Sequence, residues 1–167
     1  ACRNLAGGII ESFGPTERLN FCGIGSNAQF VNLGNINGGE INIEGAVFLE
    51  NLSELQAQKK LRIYATDSLK NSGVISTENN NGTSIYGDDI KIFCLNESGT
   101  GGMVNSGTIR GGNSTVEGIG GDDVRISADR FENWGTINSG TNGSGDDVSG
   151  GNVKIKARNA TLNGGCF

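Results

Sequence analysis

The sequence predicts an all-β chain wound as a single parallel β-solenoid, a β-helix of about six coils, and three observations carry that expectation. A seven-residue phrase, apolar-x-Asn-x-Gly-x-apolar, returns along the chain. A second phrase, apolar-x-Ile-x-small, alternates strictly and sits between copies of the first. The composition sets 29 glycines and 21 asparagines against one proline, a turn-rich balance. An apolar share of 35% is low for a globular chain, yet 19% charged residues and a net charge of −5 do not give the highly charged signature of disorder. Repeats that each contribute a few inward residues to a narrow core account for that economy.

Taken in order, residues 1–29 carry neither phrase and are expected to form an irregular N-terminal segment, a cap or docking arm, ahead of a solenoid over 30–167. The first phrase begins at Phe30-Val31-Asn32-Leu33-Gly34-Asn35-Ile36. It recurs around Asn51 (with Ser53 in place of Gly), Asn71, Asn105 and Asn133, and in variant form at Thr161-Leu162-Asn163-Gly164-Gly165-Cys166-Phe167. These asparagines set a basal period of 19 to 20 residues, and the longer steps hold insertions. The second phrase reads Ile41 to Gly45, Leu61 to Ala65, Ile90 to Cys94, Val124 to Ala128 and Val153 to Ala157. Its period of two, β-branched and bounded by Gly and Asn, is that of a strand and excludes a helical stripe. One unit of this size cannot bury its apolar face alone, whereas six stacked at ~4.8 Å each give a continuous interior roughly 29 Å tall.

Stacking turns the phrases into columns. Asn32, Asn51, Asn71, Asn105, Asn133 and Asn163 are expected to form a ladder at one corner, amide to amide. Gly45, Ala65, Cys94, Ala128 and Ala157 form an inward small column, with Cys94 a buried hydrophobe. Arg62, Lys91, Arg125 and Lys154 face outward, and Asp89 and Asp123 offset their mutual repulsion. A solvated face is the preferred reading of that column, with an anion-binding stripe as the alternative. The insertions at 76–88, 110–122 and 138–151 share one register and project from one side; with outward Trp134 they mark the side on which a ligand would be read.

The stretch Gly121-Asp122-Asp123-Val124-Arg125-Ile126-Ser127-Ala128-Asp129-Arg130-Phe131-Glu132-Asn133-Trp134-Gly135-Thr136-Ile137 is similar to the repeats of filamentous haemagglutinin-type adhesins, and the resemblance extends over 30–167. Those proteins are large, secreted bacterial right-handed parallel β-helices. The resemblance implies a right-handed coil and a cell-surface or filamentous role. The expected function is therefore a secreted structural protein, the protomer of an extracellular filament or surface adhesin assembled head to tail. Its partners would be copies of itself and surface glycans. A polysaccharide-binding or polysaccharide-degrading β-helix enzyme is the alternative class.

Charge and chemistry narrow the field. With 13 Lys and Arg against 18 Asp and Glu there is no general basic field for nucleic acid, and the absence of His removes the commonest general base and metal ligand. No stretch approaches the ~20 apolar residues of a membrane-spanning helix. A start at Ala1 reads as a processed product, and four cysteines without CxxC spacing favour an oxidising, extracellular setting over a zinc site. Asp88, Asp122 and Lys91 are the residues an enzymatic face would draw on, but no pair of carboxylates takes roles from spacing, so no catalytic residue is assigned.

Gly-Asp-Asp recurs at 87–89, 121–123 and 145–147, and Gly118 to Val124 fits one unit of a calcium-binding nonapeptide. Asp88, Asp89, Asp122, Asp123, Asp146 and Asp147 are thus candidate calcium ligands, calcium being the one cofactor considered, with plain turn formation as the competing reading. Cys166 lies about two coils from Cys94, an axial gap near 10 Å against the ~7 Å limit of a disulfide. Cys166 is therefore expected to pair with Cys2 or Cys22 of a neighbouring subunit. Asn-x-Ser/Thr sequons at Asn51, Asn81, Asn96, Asn113, Asn142 and Asn159 mark expected surface loops.

Overall fold

The computed structural model describes residues 2–12, 17–23, 25–78, 89–114, 121–141 and 151–163. Within them the chain is all-β: thirteen strands joined in one network, without a helix, and with every pairing parallel. In chain order these are β1 (Cys2–Asn4), β2 (Ile9–Glu11), β3 (Arg18–Cys22), β4 (Gln29–Asn32), β5 (Asn35–Asn51), β6 (Glu54–Asn71), β7 (Val74–Thr77), β8 (Asp89–Cys94), β9 (Gly102–Asn105), β10 (Thr108–Arg110), β11 (Asp123–Asn133), β12 (Thr136–Asn138) and β13 (Val153–Leu162).

Three ladders organise them. The first runs β1, β4, the ends of β5 and β6, β9, and the ends of β11 and β13. The second joins β2, the starts of β5 and β6, β7, β10 and β12. The third joins β3, the centres of β5 and β6, β8, and the starts of β11 and β13. Within the segment 1–29, expected to be irregular, β1, β2 and β3 thus contribute one strand to each ladder, in register with the repeat that follows.

Alternation sends one side of each ladder into a shared core. Ile36, Leu55, Ile75, Ile109 and Ile137 line the second ladder, and Ile43, Ile63, Ile92 and Ile126 the third, all at most 1% exposed. Phe30, Leu49, Leu69, Met103 and Phe131 fill the first. The small column departs from expectation at its start: Ala46, not Gly45, pairs with Ala65 and continues through Cys94 and Ala128. Gly45 is exposed at φ +69, in a register irregularity of β5, and a Cβ there would meet the Gly23 carbonyl at 2.5 Å. A left-handed, crowded position of this kind accepts only glycine.

The asparagine ladder closes the first corner. Side-chain amides donate in one direction, Asn4 to Asn32 to Asn51 to Asn71 to Asn105 to Asn133, at 2.7–3.0 Å. Each Nδ2 from Asn4 to Asn105 also reaches a carbonyl of the second ladder, for example Asn71 to Thr108 O at 3.2 Å. Asn4 was not foreseen in this column, and Asn163 does not belong to it. β13 pairs Leu162 with Asn133, which leaves Asn163 exposed one residue further on, its N–H donating to the Asn133 carbonyl.

Asn71 sits mid-ladder and fully buried, so Asn71→Ala should strand the Asn105 acceptor and cost about 2–4 kcal/mol. Asn163→Ala should cost close to nothing. Chemical denaturation of the two variants beside the parent checks the contrast, and equal stabilities would contradict the ladder's role.

Candidate functional site

The outward side of the third ladder gathers the chain's most ordered array of charge. Arg62, Lys91, Arg125 and Lys154 are direct neighbours in four successive strands, so their backbones are separated by only ~4.8 Å per step. Two carboxylates make that tolerable. Asp89 lies 2.8 Å from Lys91 and 3.6 Å from Arg125, and Asp123 lies 2.7 Å from Arg125. Burial pushes the Asp123 carboxyl up, but hydrogen bonds from the Asn152 N–H, Arg125 and the Asn152 side chain outweigh it and hold the group below its usual range. Arg62, Lys154 and Lys156 form no ion pair among the described residues.

Beside the cations runs a second outward column, Tyr64, Phe93, Ser127 and Lys156. The Tyr64 and Phe93 rings stack with centroids 4.9 Å apart and planes 6° from parallel. Above Phe93 the short Ser127 leaves room. Phe93, Ser127, Arg125, Asn152, Lys154 and Lys156 all line an open concavity of about 620 Å³ on this face.

Of the candidate calcium ligands the described residues include Asp89, Asp122 and Asp123, and these three are not grouped around one point. Asp88, Asp146 and Asp147 lie outside the described residues. Asp122 is buried and accepts from the Thr77 hydroxyl and the Gly112 N–H, whereas its neighbour Asp123 and Asp89 serve the cation column. Among the described residues no three His, Cys, Asp or Glu side chains are grouped to hold a metal ion. Packing explains the glycines at the bases of the insertions: a Cβ on Gly112 would stand 1.7 Å from the Glu78 carbonyl oxygen, and one on Gly140 1.8 Å from that of Gly112. Asp122 and Lys91 likewise have separate surroundings, the first among these insertion bases and the second paired with Asp89. The rest of the insertions, including the sequons at Asn81 and Asn142, lies outside the described residues. Of the remaining sequons Asn51 is fully buried in the ladder, while Asn113 and Asn159 are exposed.

Cys2 and Cys22 are exposed free thiols lining one concavity, Cys94 is a buried free thiol, and Cys166 lies outside the described residues. Asp129, a residue the repeat phrases pass over, is 2% exposed and accepts the N–H groups of Asn96 and Gly101 on one oxygen, with Arg158 3.5 Å from the other. It fastens the loop between β8 and β9. Only its position between Ala128 and Arg130, where alternation is broken by two buried residues in succession, distinguishes it. Trp134 is 57% exposed, in the outward position after the ladder asparagine.

Among the described residues no helix is long and apolar enough to cross a membrane. Comparison of the chain with protein-family models, curated proteins and solved structures finds no match.

Burial, then the nearby Asp129 and Asp67 carboxylates, push the Cys94 thiol up to about 12, and its Sγ–H donates to the Gly102 carbonyl at 3.3 Å. Cys94 should resist a thiol reagent at about pH 8 until denaturant is added, while Cys2 and Cys22 react at once. The folded thiol holds its proton beyond its ordinary value of 9.0, so the associated stability is complete below that value and is lost as pH rises toward 12. Peptide mapping after labelling reads the result; prompt native-state labelling of Cys94 would contradict the packing.

Proposed function

We propose that the chain is a right-handed β-solenoid of about six coils acting outside the cell as a non-enzymatic structural or adhesive element, and that copies assemble end to end. The parallel pairing of each strand segment with the one a repeat earlier supports the solenoid reading, and the resemblance of 121–137 to haemagglutinin-type repeats supports the handedness and the setting.

One observation carries the assembly. At one end β1, β2 and β3, and at the other β12 and β13, pair on one side only among the described residues. An unpaired parallel edge offers N–H and C=O groups to another strand. The two ends also carry matching apolar columns. Ile10, Leu19 and Phe21 are partly buried at the first end, and Val153, Ile155 and Ala157 at the second, each packed against the core from one side. A docked copy would extend the same ladders, a heterologous contact that propagates instead of closing. The exposed Cys2 and Cys22 flank the first end, where a neighbour's Cys166 could lock the joint.

Electron microscopy of the 167-residue chain at rising concentration tests this. Unbranched fibres are expected, and Phe21→Glu, which places a charge on the end column, should leave dispersed particles with unchanged strand content by circular dichroism. Monodisperse parent protein at high concentration would overturn the assembly, and release of unsaturated oligosaccharides from a pectic polymer would overturn the non-enzymatic assignment.

A further inference from the structure

We infer that the outward side of the third ladder is a lateral binding track for a linear acidic polysaccharide, one bearing about a carboxylate per sugar. The track runs from Arg62 and Tyr64 to Lys154 and Lys156, along the stacking direction. Because it lies on the side of the stack, it is independent of the end contacts proposed above.

Charge sets the class of ligand. The whole chain is acidic at −5, yet this face brings together Arg62, Lys91, Arg125, Lys154 and Lys156 against Asp89 and Asp123. The cationic excess is local. Like charges held one strand apart repel, and a face whose only task was solubility would be served by alternating signs, as where Arg18 pairs with Glu40 earlier in the same ladder. Here the carboxylates engage Lys91 and Arg125, while Arg62, Lys154 and Lys156 form no ion pair among the described residues. Asp89 and Asp123 therefore orient the middle of the row, and its two ends stay open to an anion. Arg125 retains donors beyond those two contacts, since a guanidinium has five N–H groups.

Spacing and shape choose among polyanions. Cations recur at ~4.8 Å, a step comparable to the advance of one pyranose in an extended chain, so each carboxylate that the chain turns toward the row can meet a cation. Duplex DNA carries about one charge per 1.7 Å and is attracted through a broad positive field, which an acidic chain lacks. The neighbouring column supplies what a sugar needs besides charge. Tyr64 is 39% exposed, and Phe93 lines the concavity beside the small Ser127. A pyranose can rest its C–H face against the Phe93 ring there, with its carboxylate toward Arg125, Lys154 or Lys156. A mostly preformed concavity with an aromatic wall and a few convergent polar groups is the usual form of a small-ligand subsite.

Affinity electrophoresis through gels containing polygalacturonate, neutral dextran or single-stranded poly(dT) tests the track. The parent chain should be retarded by polygalacturonate alone, and added salt should abolish the effect. The double variant Lys154→Ala/Lys156→Ala should bind about tenfold more weakly, a loss of about 1.4 kcal/mol, with unchanged circular dichroism. Removing the same charge from the first ladder, in Arg3→Ala/Lys70→Ala, should change binding less than about twofold. Absence of retardation by polygalacturonate, equal retardation by dextran, equal losses in the two double variants, or tighter binding to poly(dT) would each overturn the proposal. Binding by particles that never form fibres would uphold the track while overturning end-to-end assembly.

Discussion

A buried primary amide tolerates no ambiguity about its neighbours, and the asparagine ladder puts that property at the same place in successive repeats. Each ladder side chain from Asn4 to Asn105 gives one N–H to the next asparagine and another to a backbone carbonyl across the corner. Slipping one strand by a single residue would break both bonds and turn a core side chain outward. Apolar packing alone would penalise the slip less sharply, because Ile, Leu and Val can substitute for one another within a column. Donation in one direction along the row lets the amides polarise one another.

Once the corner is fixed, the path between corners becomes free. Asn51 and Asn71 are 20 residues apart and Asn71 and Asn105 are 34 apart, yet both pairs make the same amide contact. The difference is shared between the insertion after β7, whose described base is held by Gly112, Thr77 and Asp122, and the longer loop between β8 and β9, which Asp129 fastens. Loop closure costs grow slowly with length, so repeats of unequal size coexist in one stack. The same regularity acts on the outside. Any residue repeated at one position of the phrase becomes a column, and that is how four cations and two aromatic rings, far apart in sequence, come to share a face.

Legibility followed the strength of the local pattern. Asn32, Asn51, Asn71, Asn105 and Asn133 were readable because an invariant polar residue amid apolar neighbours has no other use in a strand, and Gly or Ser two positions on turns the corner. At Cys2-Arg3-Asn4 the first apolar position is a cysteine and the following glycines are displaced, so the phrase was hidden although the backbone pairs normally. At the other end Asn163 imitates the phrase, but strand continuity from Val153 carries Leu162 opposite Asn133; register accumulates along the strand and overrides the motif. Gly45 misled for a similar reason, since a bulge consumes a residue without advancing the column. The carboxylates were harder still. Asp122, Asp123 and Asp129 differ in burial and partners through tertiary contacts with insertion bases and a distant loop, which no local spacing encodes.

The most direct test of this account is whether residues 34 apart across an insertion stand one strand spacing apart. Ser72 and Ser106 follow consecutive ladder asparagines, and their hydroxyls lie 3.0 Å from each other. Adjacent parallel strands place Cα atoms at ~4.8 Å, inside the roughly 4.4–6.8 Å range of a disulfide. Ser72→Cys/Ser106→Cys, oxidised mildly and mapped by mass spectrometry, should form that intrachain bond, while Leu52→Cys/Ser106→Cys, two strands apart, should not. Failure of the first pair to link, or equal linking of both, would contradict the register on which the stack depends.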